Sequence, residues 1–266
     1  MEDRAAALSP AARKGVVTLS PRDFDAVLFD LDGVLTRTAD VHAAAWKRLF
    51  DDFLERHAAR TGAAFVPFDI ECDYRRYVDG KARGDGVASF LAARGIDLAP
   101  GAPGDPPAAD TMHALGARKD RYFTEHLERD GVEPYESSIE LVRLLRAQDV
   151  RTAVVSSSRN CAAVLNAVGI AGLFDARVDG TDLEGLGIAG KPAPDMFLEA
   201  ARRLQVEPGR AAVVEDAIAG VAAGRAGGFG SVIGVDRHGQ AKALHEAGAD
   251  AVVADLADVT VAIEPP

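Results

Sequence analysis

Short apolar segments rich in β-branched residues recur along the chain and alternate with segments of helical periodicity. The predicted strands are residues 26–29, 152–155, 176–179, 211–214, 231–235 and 251–253. The helices predicted between and around them are residues 138–147, 161–168, 194–204, 218–226 and 241–247. This alternation indicates an α/β fold with a doubly wound parallel sheet, a Rossmann-like core, in which ligands bind beyond the carboxyl ends of the strands.

The region between residues 37 and 136 interrupts this alternation. It shows no strand pattern, and its helical segments are residues 39–59, 87–94 and 110–129, with a Pro/Gly-rich stretch at 99–107. We therefore predict an all-helical cap domain at 37–136, inserted into a core formed by 21–36 and 137–266, and a flexible N-terminal tail at 1–20. Because the insert leaves the core directly after the first strand, it is expected to cover the strand ends as a lid.

Composition and charge narrow the possible partners. The 266 residues carry 41 acidic and 30 basic side chains, a net charge of −11, which nucleic acids and anionic membranes would repel. No apolar run approaches the roughly 20 residues of a membrane-spanning helix. The two cysteines, Cys72 and Cys161, lack the spacing of a zinc site. We expect a cytoplasmic monomer that acts on a small molecule and binds neither nucleic acid nor membrane.

Two carboxylates directly follow the first predicted strand, in the segment Asp30-Leu31-Asp32-Gly33. Residues two apart in extended chain point to the same side, so Asp30 and Asp32 can converge on one site while Gly33 lets the backbone turn away. A divalent cation such as Mg²⁺ would relieve their repulsion, because it prefers oxygen ligands. The alternative is an ordinary turn, for which Asp-Gly is a common pair.

Hydroxyl groups follow the second predicted strand, at the start of a helix. The free amides and positive dipole end of a helix N-terminus suit a phosphate, although serine also caps helices there without any ligand. The residues at this point are Ser156, Ser157, Ser158, Arg159 and Asn160.

A lysine and a second acid pair complete the polar strand ends. Lys191 stands just before a proline-initiated helix, where it could neutralise a phosphate or simply be solvated. Glu215 and Asp216 end the apolar strand at 211–214. Two carboxylates at a buried strand end call for a compensating cation, so both are candidate metal ligands.

The order of acid pair, hydroxyl, lysine and acid pair resembles the haloacid dehalogenase superfamily of phosphotransferases over about residues 22–235. The motifs that carry the resemblance are Asp30 to Thr36, Ser156, Lys191-Pro192 and Glu215-Asp216. Within that superfamily the chain is similar to the β-phosphoglucomutase group, through Thr38 to His42, Trp46 and the cap segment 78–86.

This resemblance implies that Asp30 is a nucleophile that becomes phosphorylated and that Asp32 is the general acid/base. It implies a Mg²⁺ ion held by Asp30, Asp216 and the backbone carbonyl of Asp32, with Glu215 supporting the metal site. Ser156 and Lys191 would hold the phosphate that is transferred, and a sugar phosphate would be the substrate. The other implied substrate-binding residues are Thr38, His42, Arg83, Lys119, Ser157, Ser158, Arg159 and Asn160.

Two residues depart from the pattern of the group. Arg37 stands where relatives commonly carry an acidic residue, and Arg159 replaces a lysine. An arginine at the second position keeps the charge and favours bidentate phosphate contacts.

Three other functions remain open from the sequence. Water could accept the phosphoryl group, which would make the chain a phosphatase with the same residues. A noncatalytic module phosphorylated by a partner protein is disfavoured by Asp32 and by the large cap. Dinucleotide binding is disfavoured by the position of the glycines at 224–230. The dinucleotide-binding fingerprint lies after a strand and at the start of a helix, and these glycines lie in neither place.

Overall fold

Six parallel strands form the central sheet in the computed structural model, which describes residues 17–263. In spatial order they are β4 (Ala176–Val178), β3 (Arg151–Val155), β2 (Ala26–Phe29), β5 (Ala211–Glu215), β6 (Ser231–Val235) and β7 (Ala251–Val253). On central β2, Phe29 lies opposite Val154 of β3 on one side and Val214 of β5 on the other. The residues that follow these three strands therefore meet at one edge of the sheet.

Both faces of the sheet are buried, and its central strand β2 is apolar at every position. On β2, Val27 and Phe29 join one apolar cluster, whereas Ala26 and Leu28 join the cluster on the opposite face. Helix α4 (Glu136–Arg146) packs into the first cluster, and α7 (Asp195–Leu204) and α8 (Ile218–Ala226) pack into the second. The remaining core helices are α5 (Cys161–Ala167), α6 (Gly180–Leu186) and α9 (Ala241–Ala247). The doubly wound parallel sheet is thus confirmed.

The segment between β2 and α4 contains helices joined by irregular stretches and no strand. It contains α1 (Ala39–Thr61), a π-helical segment (Ile70–Val78), α2 (Arg83–Ala93) and α3 (Met112–Asp130). An aromatic group holds these helices together: the ring of Phe50 lies 5.2 Å from Trp46, 5.1 Å from Phe68 and 4.1 Å from Phe90. Large buried aromatic side chains dominate the energy of such a small core. We call this helical segment the cap.

The chain passes between the core and the cap twice, and these two connecting segments lie side by side. The amide of Arg37 donates to the carbonyl of Glu133 at 2.9 Å, and the amide of Tyr135 donates to the carbonyl of Leu35 at 2.9 Å. The guanidinium of Arg37 also lies 4.5 Å from the centre of the Tyr135 ring. Arg37, one of the two residues that depart from the group's pattern, therefore lies in the connection between the cap and the core.

One sequence prediction was wrong at the start of the described chain. Residues 17–20 were assigned to a flexible tail, but β1 (Val17–Leu19) pairs in parallel with β8 (Val259–Val261) in a separate two-stranded sheet. Each strand has only three residues and its partner lies at the far end of the sequence, so neither shows a recognisable period. The rest of that predicted tail, residues 1–16, lies outside the described residues.

Between residues 17 and 263, no helix combines the length and the apolar character needed to cross a membrane.

Candidate active site

Lys191 links two carboxylates at the carboxyl end of the sheet. Its Nζ lies 2.5 Å from Oδ1 of Asp30, which follows β2, and 2.6 Å from Oε1 of Glu215, the last residue of β5. It also donates to the carbonyl of Val155, the last residue of β3, at 2.9 Å. One fully buried ammonium group thus contacts residues at the ends of three neighbouring strands. These ends lie side by side because the strands are parallel and in register.

The charges in this cluster do not balance. Burial lowers the pKa of Lys191, but the carboxylates of Asp30 and Glu215 outweigh burial and raise it above its ordinary value. Burial raises the pKa of Asp30 well above its usual range, Lys191 opposes that shift, and the charge of Glu215 adds to it. Burial and the neighbouring carboxylates also raise the pKa of Asp216. The cluster therefore favours binding of further positive charge.

Three buried carboxylates are arranged to share a cation. Asp30, Glu215 and Asp216 each offer one oxygen, and these oxygens lie within 4.8 Å of one another. A hard divalent cation with oxygen ligands fits such a set. Asp216 can approach the first motif because Gly33, at φ +85°, has no side chain: a β-carbon there would lie 1.8 Å from Oδ2 of Asp216.

Asp32 stands beside this cluster with a different set of partners. Its carboxylate accepts hydrogen bonds from the hydroxyl of Thr38 and, at 3.3 Å, from that of Ser156. Nε2 of His42 lies 3.3 Å from Oδ1 of Asp32, although it does not meet the geometry of a hydrogen bond. Burial acts to raise the pKa of Asp32, but His42 and Thr38 outweigh it and lower the pKa to about 2. Asp32 is therefore ionised at neutral pH.

Lys119 and His42 extend this network into the cap. Nζ of Lys119 contacts Nδ1 of His42 and lies 5.3 Å from the centre of the Trp46 ring. Burial lowers the pKa of Lys119 to about 7, against the attraction of Asp32. Burial and Lys119 also lower the pKa of His42. The pair thus places a titratable ammonium group behind the histidine that faces Asp32.

A cavity of about 60 Å³ lies between the cap and these strand ends. Asp30, Asp32 and Asp216 line its core side, and Arg83, Lys119 and Asp120 line its cap side. Typical ligand pockets hold roughly 300–1,000 Å³. The cap is therefore closed on the core, and a substrate the size of a hexose phosphate requires it to open.

Two polar contacts across this cavity join the cap to the core. The hydroxyl of Ser157 donates to the carbonyl of Gly80 at 2.7 Å. Nδ2 of Asn160 donates to Oδ1 of Asp120 at 2.9 Å, and the same oxygen lies 2.7 Å from Nη1 of Arg83. Gly80 lies against the core so closely that a β-carbon there would be 2.8 Å from that of Ala217.

The hydroxyl-rich turn after β3 is held by its own side chains. Oγ of Ser156 accepts from the amide of Ser158 at 3.1 Å, and Oγ of Ser158 accepts from the amide of Asn160 at 3.2 Å. The guanidinium of Arg159 pairs with Glu184 at 2.9 Å, at the edge of the cavity. The serine hydroxyls thus bind amides within the turn and do not cap α5, and the turn lies beside the cavity.

All the candidate residues named from the sequence lie in or beside this region, in three groups. Lys191, Asp30, Glu215 and Asp216 form the charged cluster, and Thr38, His42, Lys119 and Ser156 lie around Asp32. Arg83 from the cap and Ser157, Ser158, Arg159 and Asn160 from the core line the rest of the cavity. The carboxylate of Asp32 is not part of the three-carboxylate cluster; the metal ligand expected of that residue is its backbone carbonyl.

Three polar residues of the site were missed from the sequence. Asp79 lines the cavity, and burial together with the charge of Glu215 raises its pKa to about 7. Asp120 contacts Arg83 and Asn160, as described above. Nε of Arg237, which follows β6, donates to the carbonyl of Gly33 at 3.1 Å and supports the first motif. Asp79 belongs to the cap segment 78–86, on which the resemblance partly rests. The glycine that follows it, Gly80, was the one sequence signal that the cap backbone approaches the core closely at this point.

Comparison with known proteins places the chain in a family. A family model for haloacid dehalogenase-like hydrolases matches residues 24–228. The β-phosphoglucomutase of Mycobacterium tuberculosis (strain CDC 1551 / Oshkosh) is 49% identical over 253 residues, which cover 94% of this chain and 96% of the relative. The β-phosphoglucomutase of Bacillus subtilis (strain 168) is 33% identical over 237 residues, which cover 89% and 92%.

A solved structure gives the same architecture. The crystal structure of a hydrolase from Pseudomonas syringae superposes with a TM-score of 0.71 and covers 88% of this chain and 95% of that chain. Its sequence identity of 22% supports the fold alone. The extent of the family match and the identity to the two relatives confirm the family resemblance: the chain belongs to the haloacid dehalogenase-like hydrolase family, within its β-phosphoglucomutase-like group of enzymes.

Proposed function

We propose that the chain is a Mg²⁺-dependent phosphotransferase that works through an aspartyl phosphate on Asp30 and interconverts β-glucose 1-phosphate and glucose 6-phosphate. One observation carries the proposal: the cavity has a nucleophile with a buried ammonium group at one end and the donors of Arg83 and Asn160 at the other. A site with two anion-binding ends suits a sugar that carries a phosphate at either of two positions. The names of the two relatives point to the same reaction.

Asp30 is the proposed nucleophile. Its carboxylate oxygen attacks the phosphorus atom of a sugar phosphate, the bond from phosphorus to the sugar oxygen breaks, and that oxygen takes a proton. Lys191, which touches Asp30, is placed to offset charge on the oxygens of the transferring group. When the donor is a sugar bisphosphate, the products are an aspartyl phosphate and a sugar monophosphate, and attack by the other hydroxyl of a sugar monophosphate on the aspartyl phosphate forms the bisphosphate again. Arg83 and Asn160 would hold the phosphate that is not transferred.

Asp32 is the proposed proton carrier. Its low pKa keeps it ionised, so it can take the proton of a sugar hydroxyl that attacks the aspartyl phosphate. In the reverse half-reaction the same carboxyl group returns that proton to the leaving oxygen. Thr38 and Ser156 hold the carboxylate toward the cavity in both cases.

Asp30, Asp216 and the backbone carbonyl of Asp32 are the proposed ligands of Mg²⁺, with Glu215 adjoining them. The fit rests on the three oxygens within 4.8 Å and on the excess of buried negative charge around a single lysine. When bound, Mg²⁺ would offset the charge of these carboxylates and of the phosphoryl group.

The closed cap supports transfer to a sugar over transfer to water. A cavity of only about 60 Å³ between the cap and the core limits the access of bulk water to an aspartyl phosphate. The competing function is a sugar-phosphate phosphatase, in which water would be the acceptor and Asp32 would activate it.

Product analysis distinguishes the two. The enzyme is supplied with Mg²⁺, β-glucose 1-phosphate and a trace of glucose 1,6-bisphosphate, and glucose 6-phosphate and free phosphate are followed together. We expect glucose 6-phosphate without equivalent phosphate release, and neither product from Asp30→Asn. Stoichiometric release of phosphate would instead identify a phosphatase, and turnover by Asp30→Asn at the normal rate would exclude Asp30 as the nucleophile.

A further inference from the structure

Asp120 occupies a position that an anion would take. Its Oδ1 accepts from Nδ2 of Asn160, at the start of α5, and pairs with Nη1 of Arg83, at the start of α2. A single carboxylate oxygen of the cap thus joins a cationic donor and a neutral donor on two sides of the cavity. These are two of the donors that the proposed function assigns to the phosphate that is not transferred.

The surface of α3 directs Arg83 toward this carboxylate. A β-carbon at Gly116 would lie 3.5 Å from Nε and 3.6 Å from Cδ of Arg83, so the arginine stem lies against the bare backbone at that residue. Asp120 follows Gly116 by four residues, which places both on the same face of the helix. Arg83 therefore lies along α3 and ends at Asp120.

An incoming phosphate and Asp120 compete for the same donors. A phosphate bound by Arg83 and Asn160 would lie beside the Asp120 carboxylate, where like charges repel in a partly desolvated site. The side chain of Asp120 is 39% exposed and that of Arg83 is 24% exposed, so the carboxylate has room to turn toward solvent. A ligand without a second anion has no reason to displace it.

We propose that Asp120 is a specificity-determining residue that acts as an internal competitor of the non-transferring phosphate. In the closed, substrate-free enzyme it satisfies Arg83 and Asn160 and joins the cap to the core. A sugar bisphosphate must displace it, which lowers the affinity of the site for that ligand. A small phosphoryl donor with one anionic group leaves it in place, so the cap can close over such a donor. This inference rests on the proposed function.

The test compares the charge-removing variant Asp120→Asn with the wild type. Asparagine keeps the size of the side chain and an acceptor oxygen but removes the charge that opposes a phosphate. The affinity for glucose 1,6-bisphosphate is measured by calorimetry with Mg²⁺ present, in an Asp30→Asn background that prevents turnover. Asp130→Asn, at the C-terminal end of α3 and paired with Arg129, is the matched control.

We expect Asp120→Asn to bind the bisphosphate roughly two- to fivefold more tightly, the range that corresponds to a partly exposed ion pair. The KM of acetyl phosphate, measured with Asp30 intact, should fall less than the bisphosphate dissociation constant. Unchanged or weaker bisphosphate binding in Asp120→Asn would overturn the inference, and weaker binding would identify Asp120 as a residue that positions Arg83.

The wild-type enzyme separates this inference from the proposed function. If it forms glucose 6-phosphate but Asp120→Asn in the Asp30→Asn background gains no affinity for the bisphosphate, only the inference fails. If the Asp30→Asn enzyme with Asp120 intact does not bind the bisphosphate and the wild type only releases phosphate, both fail.

Discussion

The ammonium nitrogen of Lys191 lies 2.5 Å from Oδ1 of Asp30, and the lysine side chain has no exposed surface. A buried charge is stable only when it is paired and hydrogen-bonded. The charge of Lys191 is paired with two carboxylates, those of Asp30 and Glu215. These two carboxylates share one cation, so each is only partly compensated. The same contact therefore supports the fold and places a cation beside the proposed nucleophile.

Replacing Lys191 by methionine should remove activity and destabilise the protein. The variant leaves Asp30 and Glu215 as buried carboxylates without their cation, and breaking a buried ion pair in this way lowers the free energy of unfolding by about 3–5 kcal/mol. Chemical denaturation with and without Mg²⁺ measures the effect. Lys242→Met, at a lysine side chain that is 90% exposed, is the control and should change stability little.

The double variant Lys191→Met with Glu215→Gln separates stability from chemistry. It removes one of the two uncompensated charges, so part of the lost stability should return while activity stays absent. Recovery of activity in the double variant would show that Lys191 serves only to neutralise Glu215.

Asp30→Asn should weaken stabilisation by Mg²⁺ without unfolding the protein. The substitution removes one of the three clustered carboxylates and relieves their mutual repulsion. Without Mg²⁺ the variant should be at least as stable as the wild type, and the rise in melting temperature on adding Mg²⁺ should be smaller. An equal rise in the two proteins would contradict the role of Asp30 as a ligand.

The core of the site was predictable from the sequence because its residues follow apolar strands. Once β2, β3 and β5 are recognised as parallel neighbours, Asp30, Ser156 and Glu215 must lie at one edge of the sheet. The alternation of strands and helices is a strong periodic signal, and the predicted strand bounds match those of the structure to within one residue.

Contacts between the cap and the core were not predictable in the same way. They depend on how one helical unit sits on another, and no local period of the sequence encodes that arrangement. The roles of Asp79 and Asp120 follow only from their nearness to Glu215 and Arg83, respectively. The short strand β1 was missed for a related reason, since its partner β8 lies at the opposite end of the chain.

Ser157→Ala should increase the loss of phosphate to water. The variant removes the hydroxyl that joins the core to the carbonyl of Gly80 in the cap at 2.7 Å, which favours opening. A hydrogen bond worth about 1 kcal/mol changes that equilibrium roughly fivefold. We expect the ratio of free phosphate to glucose 6-phosphate to rise by up to that factor. Ser157→Thr, which keeps the hydroxyl, should restore a low ratio; an unchanged ratio in Ser157→Ala would exclude the contact as a barrier to water.

Asp79→Asn should change the pH dependence of stability in the absence of Mg²⁺. Burial and Glu215 raise the pKa of Asp79 from 3.8 to about 7 in the folded protein. Between these two values the folded state holds a proton that the unfolded state has lost, so the contribution of Asp79 to stability is complete below about pH 4 and is lost as the pH rises to about 7. An asparagine stays neutral and does not lose this contribution.

The variant should therefore match the wild type near pH 4 and exceed it at pH 8. The difference should be about 1–2 kcal/mol, below the limit set by a shift of roughly three pKa units, because the cap can open and hydrate the carboxylate. Urea denaturation across this pH range measures it, with exposed Asp97→Asn as the control. A constant difference at all pH values would mean that Asp79 ionises normally in the folded protein, and the closed cap would then have to admit enough water to solvate a carboxylate beside Glu215.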